Sequence, residues 1–227
     1  MKNIENIFKI DLLNESNLQE VMFLQNEIIN SLNNPDIYAF TSEGEFLEIL
    51  TGQGIMVGTF FEGNLCGYFA TMVPGDKEDN LGLDLNLDKK ELKKVIHYEV
   101  AAVHPDFRGN NLQKQMANKL QEIVMERDQW HYTMATVSPF NYPSLNVFLT
   151  GLNMVAKKIS KKYGNKLRYI LYQDLQNPLS LKKEETIIVL NTDYEKQKEL
   201  FNSGYCAYNI KKVGNFNKVY FAKEVGL

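Results

Sequence analysis

The chain has 227 residues, 44% of them hydrophobic and 11% aromatic, which is enough for one substantial domain with an appendage and excludes a disordered protein. A formal charge of −3 and a pI near 5.7 exclude a nucleic-acid binder that works by neutralising phosphates. The opening MKNIENIFKI is charged where a signal peptide needs an apolar run, and no uncharged stretch reaches the ~18 residues of a membrane span. The expectation is therefore a cytoplasmic protein with neither nucleic acid nor membrane as partner. Cys66 and Cys206 fit no metal or redox spacing and read as free thiols. His97, His104 and His131 share no ligand spacing, so no metal is expected.

In chain order, Ile7 to Leu12 reads as a strand, and Ser16 as the cap of a helix that runs to about Leu32, where Asn33-Asn34-Pro35 breaks it. A short helix covers Ser42 to Leu50. Strands Ile55 to Phe61 and Leu65 to Met72 flank Glu62-Gly63-Asn64, a hairpin composition that predicts antiparallel pairing. A polar, acidic loop from Pro74 to Glu91 leads to a strand that begins near Val95. Past the next helix, His131 to Val137 alternates as a strand, and a helix covers Pro143 to Thr150. Met154 to Lys162 and Leu167 to Asp174 form a second hairpin around Tyr163-Gly164-Asn165. Asn177-Pro178 marks a soft boundary. Beyond it Ile187 to Leu190, Asp193 to Phe201, Tyr205 to Ile210 and Lys218 to Ala222 read as strand, helix, strand, strand, too little to hold a core of their own.

The most informative stretch is His97 to Met116, HYEVAAVHPDFRGNNLQKQM. Val100 to Val103 are small or β-branched, and Pro105 ends the strand because it cannot donate to a ladder. Arg108, Gly109, Asn110 and Asn111 follow, with residues that tolerate left-handed backbone and so can turn N–H groups inward. From Leu112 the apolar residues Leu112, Met116, Leu120, Ile123 and Val124 make one helical stripe. A helix N-terminus with its dipole thus faces Asn110 and Asn111, where a phosphate is the usual guest and an ordinary capped corner is the plain alternative.

The order β-α-α-β-β-β-α-β-α-β-β, with this turn after the fourth strand, resembles the GCN5-related N-acetyltransferase (GNAT) family over roughly residues 4 to 175. The family's turn is written Q/R-x-x-G-x-G/A; here Arg108 is kept, while Asn111 and Gln113 stand at the two small positions. His104-Pro105 before the Arg-Gly pair, and Asn141 with Ser144 at the next helix, also match. The resemblance implies an α/β (α+β) fold: a mixed, mostly antiparallel central sheet flanked by helices, with a small C-terminal β-α-β-β extension. Residues 1–176 form the acyl-CoA-binding domain in this reading, and 177–227 pack on that core or on a partner subunit, which leaves room for a homodimer.

The resemblance further implies acetyl-CoA or another acyl-CoA as cosubstrate, with no metal. Backbone groups of Ala101, Ala102 and Val103 meet the pantetheine arm. Arg108, Gly109, Asn110, Asn111, Leu112 and Gln113 cradle the pyrophosphate, and Asn141 and Ser144 touch the cofactor from the next helix, although Asn141 also suits a plain helix cap. The family transfers the acyl group directly to an amine, so no enzyme nucleophile is needed, but something must take the amine's proton. Glu99 and His97, two apart on one strand face, stand where some members keep that base. Phe148 stands where many members keep a tyrosine that protonates the leaving thiolate, which leaves water, Tyr142 or no acid at all for that step. The acidic run Asp76, Glu78, Asp79, Asp84, Asp88 and Glu91 could steer a cationic amine, with Tyr38 and Phe40 as pocket walls, or be only a solvated face. The expected activity is acyl transfer to a small-molecule or protein amine; the alternative is a non-catalytic acyl-CoA-binding or regulatory module. A toxin acting on charged tRNA is disfavoured by the acidic pI.

Overall fold

The computed structural model describes residues 7–31 and 40–225. Strand β1 (Phe8–Leu12) leads into helix α1 (Leu18–Asn30), and α2 (Glu43–Glu48) continues through a wider turn into β2 (Gly54–Phe61) and β3 (Asn64–Met72). Next come α3 (Lys89–Leu92), β4 (Val95–Val103), α4 (Leu112–Arg127), β5 (Tyr132–Val137) and α5 (Tyr142–Asn146). Strands β6 (Val155–Lys162), β7 (Lys166–Asp174) and β8 (Ile187–Leu190) precede α6 (Tyr194–Asn202), β9 (Tyr205–Val213) and β10 (Phe216–Lys223). The Asn33-Asn34-Pro35 break and Tyr38 lie outside the described residues. Among those described, no helix is long and apolar enough to cross a membrane.

The chain forms two compact units, one of residues 1–73 and 98–126, the other of 74–97 and 127–227. In the first, the strand order is β1-β2-β3-β4, with β1–β2 and β2–β3 antiparallel. Glu62 (φ 50°) and Gly63 (φ 85°) are both left-handed, the backbone that a tight hairpin needs. One sheet face, with Met56, Tyr68 and Ala70, packs under Val21, Leu24 and Ile28 of α1 and Phe46 of α2. Gln25 of α1 is fully buried, and its amide closes both hydrogen bonds with the backbone of Thr41, at 2.8 and 3.1 Å. The opposite face takes α4, whose Leu112, Met116, Leu120 and Val124 are buried as the stripe predicts. Two covered faces explain why most of β2 is buried rather than alternating.

The second unit has the strand order β5-β7-β6-β9-β10-β8, with neighbouring strands antiparallel. Residues 177–227 extend this sheet, since β9 joins β6 through Ala156 and Ala207. The Asn191 amide donates to the Pro139 carbonyl at 3.1 Å and its oxygen accepts from the Asn217 N–H, fastening the extension to the segment before α5. On one face Val95, Met134, Ile170, Tyr172 and Cys206 cluster under Leu81. On the other, Phe201 of α6 packs edge-on against Tyr169 and Phe221, and the Tyr169 hydroxyl donates to Gln197 at 2.6 Å.

The acidic segment before β4 is more ordered than its polarity suggests. A short 3-10 turn spans Leu81–Leu85, Asp88 caps α3, and Asp84 forms ion pairs with Lys158 and Lys162 of β6. His97 is buried, and its Nε2 accepts the Leu81 N–H at 3.1 Å. Burial pushes its pKa from 6.5 to about 4, against the carboxylates of Asp79 and Asp84, which raise it.

The packing makes Gly67 critical, because a Cβ there would meet Thr59 Cγ2 at 2.8 Å, the Ala102 carbonyl oxygen at 3.1 Å and Met116 Cε at 3.3 Å. Gly67→Ala should cost about 1–3 kcal/mol in denaturant melts. Gly44→Ala, in α2 with open space around it, should be neutral or stabilise by about 0.5–1 kcal/mol. A depressed folded pKa at His97 means that the unfolded chain binds the proton first. Stability from this group is complete above pH 6.5 and falls as pH drops toward 4, by up to roughly 3 kcal/mol. Melts between pH 7.5 and 4 should show that loss, and His97→Gln should flatten its share of it.

Candidate functional site

The residues Ala101 to Gln113 run contiguously through the first unit. Ala102 is buried and Val103 half-buried at the end of β4, where the His104 N–H donates to the Cys66 carbonyl of β3 at 2.9 Å. His104 then caps a single 3-10 turn, Pro105–Phe107, by accepting the Asp106 N–H on Nδ1. The Phe107 ring anchors that turn, lying 6.0 Å from Phe8 and 5.2 Å from Phe61, ring centre to ring centre. Phe107 belongs to no periodic stripe, and its only mark in the sequence is an aromatic directly before the Arg108-Gly109 pair.

Beyond this anchor the backbone does what the Gly and Asn residues allow. Gly109 has φ 85° and Asn111 φ 59°, both left-handed. A helix-capping residue is ordinarily extended; Asn111 instead curls the chain immediately before Leu112. The ladder of α4 opens with Gln115 N–H to Asn111 carbonyl at 3.1 Å, so the N–H groups of the first turn lie ahead of it. The turn is braced from within: the Asn110 amide donates to the Phe107 carbonyl, and the Gln115 amide to the Asn110 carbonyl. The Arg108 Nε–H donates to the Val103 carbonyl at 3.3 Å, which places the guanidinium charge between strand end and turn. A fixed cation, left-handed backbone and a helix dipole are the ingredients an anion site uses. A phosphate diester fits this set of donors, and no carboxylate belongs to the turn itself.

Glu99, on β4 in the same unit, is exposed. His97 belongs to the second unit, where its buried ring serves the Leu81 N–H. A lone pair already engaged and a pKa near 4 equip it to hold the loop rather than to take a proton from an amine at neutral pH.

In the second unit, Asn141 caps α5 and its side-chain oxygen accepts the Ser144 N–H at 3.2 Å, which leaves the amide group of Asn141 as donor. Tyr142 is half-buried at the first turn of that helix, and Phe148 is buried. The acidic side chains of this unit are largely employed locally. Glu91 completes the α3 capping box and accepts from the Tyr132 hydroxyl, while Asp84 and Asp88 hold the ion pairs and cap already described. Among the described residues, no group of three His, Cys, Asp or Glu side chains is arranged to hold a metal ion.

No protein-family profile and no curated protein matches the chain. Solved structures do. An acetyltransferase of the GNAT family from Streptococcus pneumoniae is 11% identical, with a TM-score of 0.57, covering 74% of this chain and 98% of its own. NAA60 of Arabidopsis thaliana, solved in complex with acetyl-CoA, is 12% identical with a TM-score of 0.57, covering 75% of this chain and 99% of its own. The yncA protein of Salmonella typhimurium, solved with its cofactor acetyl-CoA, is 15% identical with a TM-score of 0.54 over 76% of this chain and 96% of its own. At these identities the likeness speaks for architecture, and the chain has the fold of the GCN5-related N-acetyltransferases.

Proposed function

We propose that the protein is an acyl-CoA-dependent N-acyltransferase, most simply with acetyl-CoA, that passes the acyl group directly to an amine of a small molecule or protein. The observation that carries this reading is the turn from Arg108 to Gln113, in which a fixed cation and left-handed Gly109 and Asn111 precede a 16-residue helix. Its location directly after the fourth strand, in a fold shared with proteins solved with acetyl-CoA, supports the CoA pyrophosphate over other phosphate ligands.

In this reading the backbone of Arg108 to Gln113 and the Arg108 guanidinium hold the pyrophosphate, while Ala101 to Val103 offer strand-end backbone groups to the pantetheine arm. Acyl-CoA supplies an activated thioester. The protein's own task is the acceptor's proton: an alkylamine of pKa ~10.4 is neutral about once in 10³ to 10⁴ molecules at pH 7, a cost of roughly 4–5 kcal/mol. Glu99, exposed on β4, takes that proton directly or through water as the C–N bond forms and the C–S bond breaks. The departing thiolate, with a free-thiol pKa of ~8.5, needs little assistance. That tolerance accommodates Phe148, whose ring has no proton to give.

The buried Phe148 also favours a second reading, a non-catalytic acyl-CoA-binding module. Thiol release from acetyl-CoA across a broad amine panel separates the two. The enzyme reading expects release with at least one amine and a fall of about 10²-fold or more in kcat for Glu99→Gln. Stabilisation against heat by CoA without thiol release from any amine supports the module; an unchanged rate in Glu99→Gln moves the base elsewhere. Absence of thermal stabilisation at CoA concentrations far above a micromolar Kd overturns both, because a ligand specific for the native state must raise its stability.

A further inference from the structure

Within the first unit, and independent of the acyl-transfer reading, α1, the β2–β3 hairpin and the turn from His104 to Phe107 line an open cavity of about 540 Å3, within the size range of small-molecule sites. Its floor is apolar, formed by Leu24, Leu65, Cys66 and Phe107. One wall is a stripe of α1 on which Glu20, Phe23 and Glu27 follow at helical spacing. Phe23 is 65% exposed although it sits over this cavity. An aromatic ring left in water forgoes the gain of burial, so a guest that covers it gains in proportion to the apolar area it removes from water.

The charges around the ring select the guest. Neither Glu20 nor Glu27 meets a lysine or arginine among the described residues, and no basic side chain except His104 lines the cavity. His104 uses Nδ1 to accept the Asp106 N–H, and its Nε2 stands 3.7 Å from Glu27, too far for a hydrogen bond. Glu20 accepts only the Asn17 amide, at 3.1 Å. Two carboxylates, neither meeting a lysine or arginine among the described residues and only Glu27 within ion-pair distance of a histidine, thus flank an exposed aromatic face above an apolar floor. We propose that this cavity binds a small organic cation, an ammonium or guanidinium on an apolar stem, with its head on Glu20 and Glu27 and its stem against Phe23. The aromatic face adds a cation–π attraction to the same head group. Anions are rejected by the carboxylates, and neutral molecules gain only the apolar part.

Calorimetric titration of the full chain with phenethylamine, and with 2-phenylethanol and phenylacetate as its neutral and anionic counterparts, tests this. The amine should bind saturably, the alcohol at least about fivefold more weakly, and phenylacetate not at all. Glu20→Gln and Glu27→Gln should each weaken the amine about fivefold without changing the melting temperature, and Phe23→Ser should weaken amine and alcohol alike. Equal binding of amine and alcohol, insensitivity to both glutamine variants, or no amine binding at millimolar concentration overturns the proposal. Loss of binding in Glu99→Gln with the two α1 variants unaffected overturns it as well, by placing the amine where the acyl acceptor would sit.

Discussion

Helix α4 can seat its apolar stripe on the sheet only where the sheet gives it room, and that room is Gly67. The Met116 methyl group lies where a Gly67 side chain would begin to crowd it, and the Ala102 carbonyl of β4 closes the same gap from beside it. Once Met116 is seated, the direction of a 16-residue helix is set and its N-terminus has one place to be. The other end of the short link is set by Phe107, packed against the paired rings of Phe8 and Phe61. Between these two fixed points the chain has four residues in which to reverse, and the left-handed angles at Gly109 and Asn111 are how it does so. The anion-binding geometry follows from packing on either side of it.

Much of this was legible in the sequence because it rests on local rules. The period-four stripe of α4, both hairpins with their Gly and Asn turns, and the break at Pro105 each follow from backbone sterics or from burial on one face, and each is found. The strands of residues 177–227 were also readable, although β9 and β10 extend to Val213 and Phe216, past the most apolar core of each. The acidic segment was read as a polar loop because its order comes from distant partners: Leu81 meets His97, and Asp84 meets Lys158 and Lys162. Long-range pairing of this kind leaves no periodicity to detect.

The site divides along the same line. That Arg108 to Gln113 could turn inward was visible, since it depends on which residues tolerate positive φ. That His97 would be buried with its lone pair committed was not, because one strand position says nothing about what packs on it. Glu99, two residues on, is exposed on the same strand. Burial, not residue type, separates a histidine that holds a loop from a carboxylate that faces solvent. At the two positions of the turn that hold no glycine, Asn111 adopts the left-handed angle a glycine would supply, and Gln113 stands within the first turn of the helix.

The central claim is that the turn at the head of α4 holds the pyrophosphate of CoA. Calorimetric titration of the full chain with CoA and with pantetheine, which carries the same thiol arm without the pyrophosphate, tests it most directly. The account predicts measurable binding of CoA, binding of pantetheine weaker by at least tenfold, and loss of that advantage when Arg108→Ala is combined with Gly109→Val, which forces the turn out of its left-handed angle. Equal affinity for the two ligands, or an advantage of CoA that survives both substitutions, would contradict it.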